Sequence, residues 1–188
     1  VLVADAFPNT LRLALTALTI AVLIGFPLGV VAAVNQGRRL DTLITGLNAL
    51  GLSMPAFWLG LLLILLFSVH LKWLPPSGLG DPGKPWYGNL AFLVLPVATI
   101  AVSNLSVFAR FVRSAMIDVL GAEYVRTARA KGLAERLVVG RHALRNALIP
   151  VVTVVGIQFG RLLGGAVVTE SVFAYPGIGR LVVTSILN

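Results

Sequence analysis

Four stretches of this chain stay apolar long enough to cross a membrane, at residues 11–34, 43–71, 90–111 and 147–172. Nothing else in the sequence limits the fold so strongly. A hydrocarbon core of roughly 30 Å takes about 20 residues of α-helix, because each residue rises roughly 1.5 Å. Within it the backbone finds no water, so only helices or closed barrels can span, and these continuous runs lack the alternation of barrel strands. An all-α integral membrane protein follows. Composition agrees: 57% of the 188 residues are hydrophobic and 12% are charged, and mean hydropathy is +0.94, more apolar surface than a soluble domain hides.

The charges set an orientation. Net charge is +8, with a pI near 11.1. Eight of the 15 basic residues lie between Arg110 and Arg145, and the turn at residues 35–41 adds Arg38 and Arg39, whereas residues 72–89 carry only Lys72 and Lys84. Basic residues favour the cytoplasmic side, so residues 35–41 and 113–146 are expected there and both chain ends outside. Nucleic acid is not an expected partner, since Tyr124 is the only aromatic residue within 113–146 and no reading motif accompanies the arginines. The chain starts at Val1 and stops in an apolar stretch at residues 178–187, which reads as a fragment of a longer protein.

Within the spans, Pro27, Pro55 and Pro96 each remove a helical hydrogen bond and can bend a helix, although proline is common in transmembrane helices generally. Gly156, Gly160 and Gly164 form a four-residue ladder that lets another helix approach closely, and Gly25 and Gly29 repeat that spacing. Polar groups in hydrocarbon need partners, so Asn48, Ser53, Ser103, Asn104, Ser106, Gln158 and Arg161 are expected to face the bundle interior or a wet path. For Arg161, a place on a translocation path and a structural pairing between helices explain the charge equally well. Glu170 is half a turn out of phase with it and is not its partner within one helix.

Enzyme signatures fail on context. Gly78-Leu79-Gly80-Asp81-Pro82-Gly83-Lys84-Pro85 resembles a phosphate loop, but Pro85 stands where a magnesium-binding Ser or Thr is needed, and no strand and helix flank it. Asp81 among prolines outside the bilayer does not suit an intramembrane aspartyl protease. His70 and His142 lie on opposite sides, and cysteine is absent, so neither a metal site nor a nucleophile triad can be assembled. No cofactor is implied.

The 34 residues from 113 to 146 are long for a connection. They read as two short helices, the first around residues 121–131 and ended by Gly132. Small Ala122, Ala128 and Ala130 alternate with Arg126, Arg129 and Lys131, so the helix can sit in a partner's groove while its basic chains reach acidic groups on the rim; the alternative is a surface helix held to anionic membrane lipid. Glu123-Tyr124-Val125-Arg126-Thr127-Ala128-Arg129-Ala130-Lys131-Gly132, followed by His142-Ala143-Leu144-Arg145-Asn146-Ala147-Leu148-Ile149-Pro150, resembles the cytoplasmic signature of dipeptide, oligopeptide and nickel ABC importer permeases. Asn9-Thr10-Leu11, Ser53-Met54-Pro55-Ala56-Phe57, Leu74-Pro75-Pro76-Ser77-Gly78 and Glu170-Ser171-Val172-Phe173-Ala174-Tyr175-Pro176-Gly177-Ile178-Gly179 extend the likeness over essentially the whole chain, toward the first of the two permeases in such systems. Against the broader Glu-Ala-Ala signature of ABC importers only Ala128, Gly132 and Leu144 agree.

The resemblance implies a single type I ABC importer transmembrane domain over residues 1–188, in a bacterial or archaeal cytoplasmic membrane, with about four spans here of a usual six. It implies a second permease subunit, cytoplasmic ATP-binding subunits and an extracytoplasmic solute-binding protein as partners, with ATP hydrolysed by the partner and peptides or nickel as cargo. Glu123, Tyr124, Arg126, Thr127, Ala128, Arg129, Lys131 and Gly132 are then the residues expected to couple to the ATPase. A secondary transporter or channel not driven by ATP is the other class considered; proton-coupled carriers often hold carboxylates in mid-membrane, whereas Glu170 lies near an outer end.

Overall fold

A computed structural model describes residues 2–81, 83 and 86–187. Pro82, Lys84 and Pro85 of the glycine-rich outer segment lie outside the described residues. Every regular element among those described is helical: α1 (Leu2–Val34), α2 (Arg39–Ser53), α3 (Ala56–Leu63), α4 (Leu90–Leu120), α5 (Glu123–Ala130), α6 (Glu135–Leu137), α7 (Leu144–Gly165), α8 (Val167–Val172) and α9 (Ile178–Leu187). A wider π-type winding extends α3 over Ile64–His70, where the Leu71 amide reaches back five residues to the Leu66 carbonyl, and a second one over Val138–Ala143 joins α6 to α7. Val3–Val34, Leu90–Leu120 and Glu135–Gly164 are each long and apolar enough to cross a membrane; α2 and α3 make a fourth candidate when counted together.

α1 begins at Leu2, nine residues before the expected start of the first span, and the boundaries differ from the sequence reading at three further places. The apolar run at residues 43–71 is two helices, because Pro55 adopts an extended backbone (φ −61°, ψ 137°) at the start of α3 and interrupts helical bonding. The third run continues past Phe111 to Leu120, carrying Arg113 on the helix itself. The fourth run breaks at Ala166, between α7 and α8. Pro96 and Pro150, by contrast, lie inside α4 and α7 without ending them.

The chain gathers into two compact units. One comprises residues 1–20, 53–103 and 158–188; the other comprises residues 21–52 and 104–157. The first has a core of Leu13, Ala17, Leu95, Ile100, Phe173 and Tyr175. In the second, Ala33, Val112, Met116, Ala143, Ala147 and Val151 form the core, with a smaller cluster of Val125, Ala128 and Val138 against Val119 and Leu120. Two glycines permit the second core. A Cβ on Gly29 would stand 2.6 Å from both the Ala109 carbonyl oxygen and Val112 Cβ, and one on Gly25 would stand 2.8 Å from the Leu105 carbonyl oxygen. α1 and α4 are therefore in backbone contact there, which only a missing side chain allows.

Candidate functional site

In the second unit, α5 is a two-faced helix. Val125 and Ala128 are buried against the end of α4, while Glu123, Tyr124, Arg126, Thr127 and Arg129 are exposed. Polar contacts dress the outer face: the Arg126 guanidinium donates to Glu123 Oε1 at 2.9 Å, and the Thr127 hydroxyl donates to the Glu123 carbonyl at 3.0 Å. Arg129 forms a fork on Glu135 of α6, Nη2 to Oε1 at 2.7 Å and Nε to Oε2 at 3.1 Å. Asn146 Nδ2 donates to the Tyr124 hydroxyl at 2.8 Å, tying α5 to the start of α7. Gly132 has φ +77°, a left-handed conformation costly for residues with a Cβ, and it ends the helix as its place in the sequence suggested. Lys131 is exposed beside it. Ala128, also in the expected coupling set, is 7% exposed and packs with Val125 and Val138 against Val119 and Leu120.

A contact that sequence reasoning missed lies two turns back along α4 from the seat of α5. Arg113 of α4 donates through Nε and Nη2 to Asp41 Oδ1 and Oδ2 of α2, at 2.6 and 2.8 Å. Asp41 also accepts from the Gly37 amide at 2.9 Å and the Thr45 hydroxyl at 3.3 Å. The available signal was a lone acid in an otherwise basic turn, which charge counting alone treats as noise.

In the first unit, three of the outer motifs meet. Glu170 is fully buried; its Oε1 accepts from the Thr10 hydroxyl at 2.8 Å and its Oε2 from the Arg180 amide at 3.1 Å. Thr10 in turn accepts from the Ile178 amide at 2.9 Å, so one hydroxyl serves α1, α8 and the start of α9. Asn9 Nδ2 donates to the Pro176 carbonyl at 3.0 Å, and the Gly78 amide to the Phe173 carbonyl at 2.9 Å. A Cβ on Gly177 would overlap the Glu170 carboxyl group, and one on Gly179 would lie 2.6 Å from Val167 Cα. The Tyr-Pro-Gly-Ile-Gly run is thus shaped by what it must wrap.

Of the polar residues within the spans, Asn48, Asn104, Ser106 and Gln158 are buried, Ser103 is half-buried and Ser53 is exposed. Arg161 is exposed and donates to Gln158 Oε1 at 3.2 Å. No atom stands within 4 Å of a Cβ built on Gly156, Gly160 or Gly164, so that face of α7 is open among the described residues.

These features define a multi-span helical membrane protein with a short basic helix carried at one end. Two solved structures share the fold. The inward-facing MetNI methionine ABC transporter superposes with a TM-score of 0.74 at 22% identity, over 96% of this chain and 78% of that one. An amino acid ABC transporter crystallised with histidines gives 0.72 at 16% identity, over 99% and 79%. The architecture is the helical bundle of type I ABC importer permeases. Residues 25–188 match the profile of the binding-protein-dependent transport system inner membrane component, and the chain belongs to that family. It is 48% identical over 184 residues to the glutathione transport system permease protein GsiC of Salmonella typhimurium, and 47% identical to GsiC of Escherichia coli K12. Those alignments take in 98% of this chain and 58% of each relative, so the chain spans somewhat over half their length.

Proposed function

We propose that this chain is the transmembrane permease part of an ATP-driven importer, paired with a second permease, served by an external solute-binding protein and powered by separate cytoplasmic ATPase subunits. The single observation that carries the reading is α5: eight residues with two buried apolar positions inward and Glu123, Tyr124, Arg126, Thr127 and Arg129 outward, fixed on the end of a spanning helix. A helix so held can move as a rigid body when a partner grips its outer face, and closure of an ATPase pair would then bias the bundle between inward-open and outward-open states. Coupling belongs to Glu123, Tyr124, Arg126, Thr127, Arg129, Lys131 and Gly132, while Ala128 seats the helix. The open glycine face of α7 is the surface proposed for the second permease. Peptides are the proposed cargo class, supported by relatives named for glutathione, itself a peptide.

The test uses the full-length protein co-expressed with its partners. Reversing charge on the outer face, with Arg126→Glu and Lys131→Glu together, should lower ATPase co-purification by about tenfold or more while membrane insertion stays normal, because like charges facing each other across an interface cost several kcal/mol. Undiminished co-purification and solute-stimulated ATP hydrolysis would count against the docking face.

A further inference from the structure

The Asp41–Arg113 contact is built more carefully than a basic membrane edge requires. The two residues are 72 positions apart, the guanidinium meets the carboxylate as a two-point fork, and the remaining carboxylate capacity is taken up by Gly37 and Thr45. Asp41 is 5% exposed, while the Arg113 side chain retains 29%. A desolvated ion pair holds only when its geometry is good and its spare lone pairs are satisfied, and a forked contact has one register where apolar surfaces can slide.

Its location gives that rigidity a use. Val119 and Leu120, at the end of α4, carry Val125 and Ala128 of α5. Arg113 lies two turns earlier on the same helix, and Asp41 opens α2. A physical path from α5 thus runs through apolar packing to α4, and on through the Asp41–Arg113 ion pair to α2.

We propose that Asp41 and Arg113 are positioning residues that make α2 follow α4 when α5 is displaced, so that ATPase closure reaches the spanning helices instead of being absorbed at the membrane edge. This rests on the ATP-coupled reading above. A weakened tie should let ATP be hydrolysed with less solute moved per turnover.

The experiment uses vesicles containing the complete transporter with its binding protein, in which ATP hydrolysis, solute uptake and bound ATPase are measured on the same preparation. Asp41→Asn and Arg113→Gln are each expected to lower solute moved per ATP by about fivefold or more, the range of a coupling free energy, with bound ATPase unchanged. The double variant should be no worse than either single one, since the second change removes nothing further. Arg113→Lys, which keeps the charge and loses the fork, should fall between wild type and Arg113→Gln; if the others fail to assemble, this variant decides. Unchanged uptake per ATP in Arg113→Lys or in either single variant, or losses that multiply in the double, would overturn the tie. Wild-type vesicles that transport without any ATPase subunit would instead overturn the importer reading beneath it.

Discussion

Asp41 and Glu170 are both buried acids, one in each compact unit, and they are held by opposite means. Asp41 has a full counter-charge in the Arg113 fork. Glu170 is met instead by a hydroxyl from α1 and an amide from the start of α9, where the free N–H groups of a helix terminus favour an acidic group. The first arrangement is directional and fails badly if one partner is removed. The second is distributed over several modest bonds and over the close fit of Gly177 and Gly179, so its sensitivity lies in shape more than in charge.

Arg113→Leu should therefore have the largest effect on stability. It leaves Asp41 buried beside Gly37 and Thr45 without its cation, a loss of about 3 kcal/mol, at the low end for stranded buried charges because Arg113 is partly open to solvent. Thermal unfolding of the purified full-length protein in detergent would read it. Adding Asp41→Leu should recover much of the loss, since nothing charged is then stranded. If Arg113→Leu alone were neutral, the contrast between the two acids would collapse.

Gly177→Ala comes next. Its new Cβ falls on the Glu170 carboxyl group, and since the loop at Tyr175–Gly177 is bonded on both sides, the strain cannot be relieved by one rotamer. Overpacking of this kind costs about 1–3 kcal/mol. The same measurement checks it, and a neutral result would mean that Glu170 is free to swing away, contrary to a clasp defined by fit.

How much of this could be read in advance follows from what a one-dimensional pattern encodes. Three spans and the basic helix were legible because apolar length and clustered arginine are local properties, and the end of α5 was legible because Gly132 is a local signal. The break between α2 and α3 was half legible: Pro55 marked a bend, but whether apolar residues 43–71 formed one helix depended on packing around it. Among the described residues the pair Gly25 and Gly29 lies against α4, while no atom stands within 4 Å of a Cβ built on Gly156, Gly160 or Gly164 of the longer ladder. Spacing reports that a face is smooth and not what lies on it. The two acid sites were illegible in detail because their partners are 72 and 160 residues away, and nothing in the local sequence of Thr10 or Arg113 points to the other side of the contact.

The smallest effect tests whether burial, and not ion pairing as such, separates the strong contacts from the weak. Arg129 and Glu135 form a fork as well shaped as the one at Arg113, and the Glu135 carboxylate raises the Arg129 guanidinium above its ordinary pKa. Their side chains, however, are 40% and 55% exposed, so water competes for every bond and salt screens the attraction. Glu135→Gln should cost about 0.5 kcal/mol at low ionic strength and fall toward zero at about 1 M salt, where the Debye length is only ~3 Å. Arg129 keeps its bond to the Leu120 carbonyl in either case. Under the same salt series the penalty of Arg113→Leu should stay nearly constant, because Asp41 is shielded by protein. A salt-insensitive loss above about 1 kcal/mol for Glu135→Gln would show the α5–α6 contact to be held as firmly as the Asp41 contact, and α5 would then be fixed by its own fork as much as by α4.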